Sequence, residues 1–197
     1  MDVLTGRSHA NQAGRGSNSS AESLLRALVN DEVVDIPTPG PGINNGVGTI
    51  CKSSSHRRGG IIETTILLDL TGLNSNVVSD IIGVDAAGAA YISQALPTVM
   101  GTILGGEMTC LEAPTGGEPD IDLFSAVEAT GVEDTAITDL DETAIVTAAA
   151  DWTIGLKRAF VAVPAANEYL YLVGGGGTTD ATYTAGKFLI RIYGYDA

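Results

Sequence analysis

Fifteen residues, Gly59 to Leu73 (GGIIETTILLDLTGL), constrain the fold more than any other stretch of the chain. A glycine pair opens the stretch, and a run without glycine, proline or asparagine follows. Ile62, Thr64, Ile66, Leu68 and Leu70 fall on one side of a two-residue period. Ile61, Glu63, Thr65, Leu67 and Asp69 fall on the other. A helix would scatter Glu63 and Asp69 among the apolar positions, whereas a strand keeps them apart. The stretch therefore predicts a long central strand with one buried face. Its other face, with Ile61 and Leu67 beside the acids, is too apolar to be wholly wet and suits contact with a second copy.

The same alternation recurs near the C-terminus, where Phe188, Ile190 and Ile192 alternate with Lys187 and Arg191. Further strands are expected at 47–53, 90–94, 98–111, 121–127, 157–163 and 169–173. The strand at 98–111 should be bulged at Gly105-Gly106. Helices are expected at 138–151, where Thr138 can cap an alanine-rich segment, and in a short loop near 77–82. The 25 glycines among 197 residues suit many strands joined by turns. This pattern predicts an all-β fold, a two-sheet β-sandwich with jelly-roll topology possible, over residues 47–197.

Residues 1–46 read differently. The first 20 are polar, with Arg7 and Arg15, and carry too little apolar area to dock tightly on their own body. Such an arm needs a surface to hold it, and a neighbouring chain is the better candidate. Ser19 and Glu22 form a capping box for a short helix to Asn30, with Leu24, Leu25 and Leu28 on its apolar stripe. The proline-rich stretch 35–46 then reads as a linker that excludes helix and ladder alike.

Charge limits the partners. Formal net charge is −14, and no Lys or Arg occurs between Arg58 and Lys157, an interval holding sixteen acids. An acidic body repels phosphate backbones, which argues against nucleic acid. No apolar run approaches the length of a membrane span, and the N-terminus lacks the apolar segment of a secretory signal, so use without export is expected. Lys52, His56, Arg57 and Arg58 form the one basic cluster, expected at a hairpin tip. It suits docking against an acidic surface, where charge fixes register and orientation.

Catalytic and metal chemistry find little support. Glu118, Asp120 and Asp122 could bind calcium or serve as paired carboxylates, but they match no loop template and read as a solvated acidic face. Asp139, Asp141 and Glu142 fit no template either. The two histidines, His9 and His56, and two cysteines, Cys51 and Cys110, fall short of a zinc site. The cysteines read as reduced and packed, although a bridge between them is not excluded by sequence. Gly174 to Gly177 lacks the residues of a phosphate loop and reads as a long hairpin loop. No cofactor, metal site or catalytic residue is expected.

Taken in order, GTICKSS, GGIIETTILLDLTGLNS, DIIGVD, GTILGGEMTCLE, GGEPDIDLFSA and VPAANEYLYLVGG…TTDATYTAGKFLIRIYG resemble a group of small virion structural proteins of tailed phages. The resemblance spans residues 47–194. It implies a non-enzymatic head decoration, or cement, protein: a homo-oligomer, typically a trimer, bound to the major capsid protein on the capsid surface and assembled in the host cytoplasm. A head fibre, tail or receptor-binding protein is the alternative it leaves. The residues expected to make contacts are Arg7, Arg15, Leu24, Leu25, Leu28, Lys52, His56, Arg57 and Arg58.

Overall fold

The computed structural model describes residues 37–196 apart from 149 and 178. The expected arm, the helix from Ser19 and the residues Arg7, Arg15, Leu24, Leu25 and Leu28 lie outside the described residues.

The glycine pair does what its position suggests. Strand β1 (Ile50–Arg58) and strand β2 (Ile61–Asp69) pair antiparallel without interruption, from Ile50 opposite Asp69 to Arg58 opposite Ile61. Gly59 and Gly60 alone make the turn, both at positive φ (59° and 85°), as a type I′ hairpin requires. Ile62, Thr64, Ile66, Leu68 and Leu70 are all fully buried, so the alternation marks the core face correctly.

Nine more strands follow: β3 (Asn74–Ser75), β4 (Tyr91–Gln94), β5 (Thr102–Thr115), β6 (Ile121–Ala126), β7 (Glu142–Val146), β8 (Lys157–Ala159), β9 (Tyr169–Gly174), β10 (Ala181–Thr182) and β11 (Ala185–Tyr195). One five-stranded sheet runs β1-β2-β11-β5-β8 and one four-stranded sheet runs β4-β9-β6-β7, with β10 and β3 as a small separate pair. The ladders are antiparallel throughout. The molecule is an all-β sandwich. Ile66, Leu68, Met108, Phe188 and Ile190 from the first sheet pack with Ile92, Leu123, Ile145, Leu170 and Leu172 from the second in one core.

Several local expectations are corrected. The helix expected at 138–151 is a 3-10 turn, Ile137–Asp139, followed by β7. Pairing with β6 (Ala144 opposite Phe124) overrides the helical preference of the alanines. The stretch near 77–82 is not helical: Asp80 and Ile81 form single bridges to Ala136 and Val173. Residues 97–100 form one helical turn, α2 (Pro97–Met100), so the long strand starts later and ends later than expected. Its pairing with β11 shifts register at three places, and the shift near the glycine pair falls one step from it: Gly105 faces Tyr193 and Ile103 faces Gly194, leaving Leu104 as the extra residue. Among the prolines of 35–46 sits one helical turn, α1 (Pro41–Asn44), with Pro41 at the first position, where its missing N–H costs nothing.

β9 and β11 are not a hairpin. They belong to different sheets, so the glycine-rich segment after Gly174 is part of a crossing between layers rather than a hairpin loop.

Candidate functional site

The basic cluster lies on the first strand of a hairpin, with Arg58 beside the turn, as expected, and Lys52 farther down the strand. β1 continues through His56, Arg57 and Arg58, because only the two glycines are needed to reverse the chain. Alternation then divides the cluster. Lys52, His56 and Arg58 are exposed on the outer face of the five-stranded sheet, opposite Leu67, Glu63 and Ile61 respectively. Arg57 turns to the other side, where it pairs with Asp196 at 2.9 Å and donates to the Thr98 carbonyl at 2.7 Å. The neighbouring Ser55 hydroxyl, fully buried, donates to the Val99 carbonyl at 3.2 Å and accepts from Thr64. β1 is thus fixed to α2 from inside.

An open groove of about 640 Å³ runs along the outer face, lined by Ser54, His56, Arg58, Ile61, Glu63 and Thr65. Ile61 is 52% exposed beside it. The groove is therefore apolar at one end, basic along β1 and acidic at Glu63.

Charge elsewhere on this face is balanced. Lys187 sits between Asp69 (3.2 Å) and Glu112, Arg191 meets Glu107 at 3.3 Å and Glu63 at 3.6 Å, and Lys157 meets Glu107 at 2.9 Å. Lys157 and Arg191 hold the Glu107 carboxyl below its usual range against a smaller effect of burial. Burial pushes Asp69 up, but the backbone and hydroxyl of Thr71 and the ammonium of Lys187 outweigh it and leave its pKa lowered. Arg158 lies over the Trp152 ring, 5.3 Å from its centroid. Lys52 and Arg58 are the described basic side chains with neither an ion pair nor an aromatic partner.

The acids at 118–122 are not a solvated face. Glu118 is 5% exposed; its N–H donates to the Ser75 hydroxyl and its carbonyl accepts from the Tyr183 hydroxyl at 2.7 Å. Burial pushes Asp120 up, reinforced by Asp122, Glu118 and Asp151, while Arg158 pulls it down. Burial also raises Asp122, against the Ala148 N–H donated to its carboxylate and the charge of Arg158. The backbone of Gly175 donates to the Asp120 carbonyl at 2.8 Å, tying the glycine-rich segment to this region. Among the described residues no group of three or more His, Cys, Asp or Glu side chains has the geometry to hold a metal ion.

Cys51 and Cys110 are both free. Cys51 donates to the Ile92 carbonyl across the sandwich and Cys110 to the Glu112 carbonyl. No helix among the described residues is long and apolar enough to cross a membrane. Sequence reasoning missed the partners that sort the cluster: nothing local marks Asp196 as the counter-charge of Arg57, because only the fold brings the chain's end to β1. Comparison with protein families, curated proteins and solved structures returned no match to this chain.

Proposed function

We propose that this chain is a non-enzymatic virion protein of a tailed phage that decorates the capsid surface and binds the major capsid protein. The observation that carries the docking part of this reading is the pair Lys52 and Arg58. Both are exposed on the outer face of an edge strand, and neither has a counter-charge among the described residues, in a chain of net charge −14. Unneutralised cations on an acidic body favour an acidic partner and fix its orientation. The resemblance to phage virion proteins supplies the kind of partner, and repeated modest contacts over a lattice supply avidity without a single strong site.

The test uses purified particles that carry the protein. Density for the chain over the capsid lattice is expected, with Lys52→Glu/Arg58→Glu lowering occupancy at least tenfold while the chain stays folded. Density confined to the tail or to a vertex, with bare lattice surfaces, would sink the capsid reading. Unchanged occupancy of the charge-reversed variant would remove β1 from the contact.

A further inference from the structure

One end of the four-stranded sheet holds a cleft of about 350 Å³. Gln94 from β4, Glu168 and Tyr169 at the entry to β9, Val127 just beyond β6 and the turn 165–167 line it. A register shift between Tyr91 and Ser93 sets Gln94 opposite Tyr169, so both side chains share one face of the sheet.

The walls are fixed by hydrogen bonds of their own. The Glu168 N–H donates to the Ala165 carbonyl at 3.3 Å and closes the turn, with Asn167 in the left-handed region at φ 71°. The Asn167 N–H donates to the Ala95 carbonyl and the Ala95 N–H to the Glu168 carbonyl, both at 2.8 Å. Gln94 Nε2 donates to the Asn167 carbonyl at 3.0 Å. Glu168 Oε2 accepts from the Ser125 hydroxyl at 2.6 Å and from the Ala165 N–H at 2.8 Å. Tyr91 packs on the Tyr169 ring, with centroids 4.9 Å apart. A cleft fixed in this way loses little freedom when it is filled.

The chemistry left to a ligand is one-sided. The N–H groups of Ala165, Asn167 and Glu168 and the Gln94 amide nitrogen are engaged in holding the turn. Facing the cleft are then the second oxygen of the Glu168 carboxylate, the Gln94 amide oxygen and the Tyr169 ring. The lining carries one acid and no base, in a chain of net charge −14, so an anion is repelled. Acceptors beside an aromatic ring suit a cation with several N–H donors. A guanidinium meets this best, because it is planar, lies against rings and donates in a fixed fork.

We propose that this cleft takes the guanidinium of an arginine side chain presented by a partner protein. Glu168 and the Gln94 amide oxygen accept from it, the Tyr169 ring lies against its plane, and Val127 and Ala166 cover its aliphatic stem. The cleft belongs to the four-stranded sheet and Lys52 and Arg58 to the other, so it holds or fails independently of the contact proposed for β1.

The test is a titration of the full-length chain with N-acetyl-arginine amide, followed by the NMR shifts of backbone amides. Saturable shifts are expected at Gln94, Asn167 and Glu168, with the lysine counterpart and the neutral citrulline counterpart each binding at least fivefold more weakly. Glu168→Gln should weaken binding at least fivefold. So should Tyr169→Leu, which leaves the hydrogen bonds of Glu168 in place. Shifts that do not saturate would overturn the proposal, as would citrulline binding as well as arginine or a Tyr169→Leu variant that binds like wild type. Free arginine bound more tightly than the blocked form would overturn the protein source in favour of a small molecule.

Discussion

The rings of Trp152 and Phe188 meet edge-on, with centroids 5.2 Å apart and planes at 79°. Phe188 belongs to β11 at the middle of the five-stranded sheet, while the Trp152 Nε1–H donates to the Ile121 carbonyl on β6 of the other sheet, at 2.8 Å. One buried side chain thus ties both layers. Trp152→Ala should cost about 3–5 kcal/mol, through lost burial and a cavity. Trp152→Phe keeps most of the volume but leaves the Ile121 carbonyl without its donor, costing about 1–3 kcal/mol. Urea midpoints followed by circular dichroism at constant slope check both values. A Trp152→Ala variant within error of wild type would show that the two layers do not depend on this contact.

How far the sequence revealed this architecture depended on whether the cause was local. β2 and β11 were legible because alternation is a property of neighbours in the chain. β7 was not, because Thr138 and the alanines favour a helix locally and only pairing with β6 decides otherwise. The basic strand β1 was half legible. Its composition pointed to Lys52, His56, Arg57 and Arg58, but the split between Arg57 and the others depends on Thr98 and Asp196 arriving from elsewhere. Burial of Glu118 was invisible for the same reason, since Ser75 and Tyr183 reach it from distant segments.

Glu133 gives a pH dependence with a defined sign. Burial, reinforced by Asp134, Asp85, Asp180 and Asp80, pushes its pKa up from 4.5 to about 7. At low pH it is protonated in both folded and unfolded chains, and its contribution is complete. Between 4.5 and about 7 the unfolded chain releases the proton first, so stability from this group is lost as pH rises, and above that range the loss is full. Asp69 and Glu107, whose pKa values are lowered, act in the opposite sense at lower pH, so the difference between variants is the clean measurement. Glu133→Gln should melt higher than wild type at about pH 8 and no higher at about pH 4. An equal gain at both would assign the effect to packing instead.

The two thiols should be inert while the chain is folded. Burial pushes the Cys51 pKa up to about 12 and raises Cys110 as well. The thiolate is the reactive form, so iodoacetamide at about pH 8 should leave both unmodified in the native protein and label both in concentrated urea. Mass spectrometry counts the adducts. Rapid native labelling of Cys51 would mean that β1 detaches from Ile92, whose carbonyl accepts from its sulfur.

Adjacent glycines on β5 should respond oppositely to the same substitution. A Cβ at Gly106 would lie 2.4 Å from the Arg191 carbonyl oxygen and 2.5 Å from the Phe160 ring, and the first of these is backbone that cannot yield without disturbing β11. A Cβ at Gly105 would meet nothing within 4 Å. Neither glycine has a positive φ, so backbone strain does not enter. Gly105→Ala should therefore stabilise by about 0.5–1 kcal/mol, by reducing the freedom of the unfolded chain. Gly106→Ala should destabilise by about 1–3 kcal/mol through overpacking. Thermal unfolding of the two variants side by side decides it. If both lose stability equally, the cost lies in the irregular pairing of β5 with β11 around Leu104 rather than in the contact with Arg191 and Phe160.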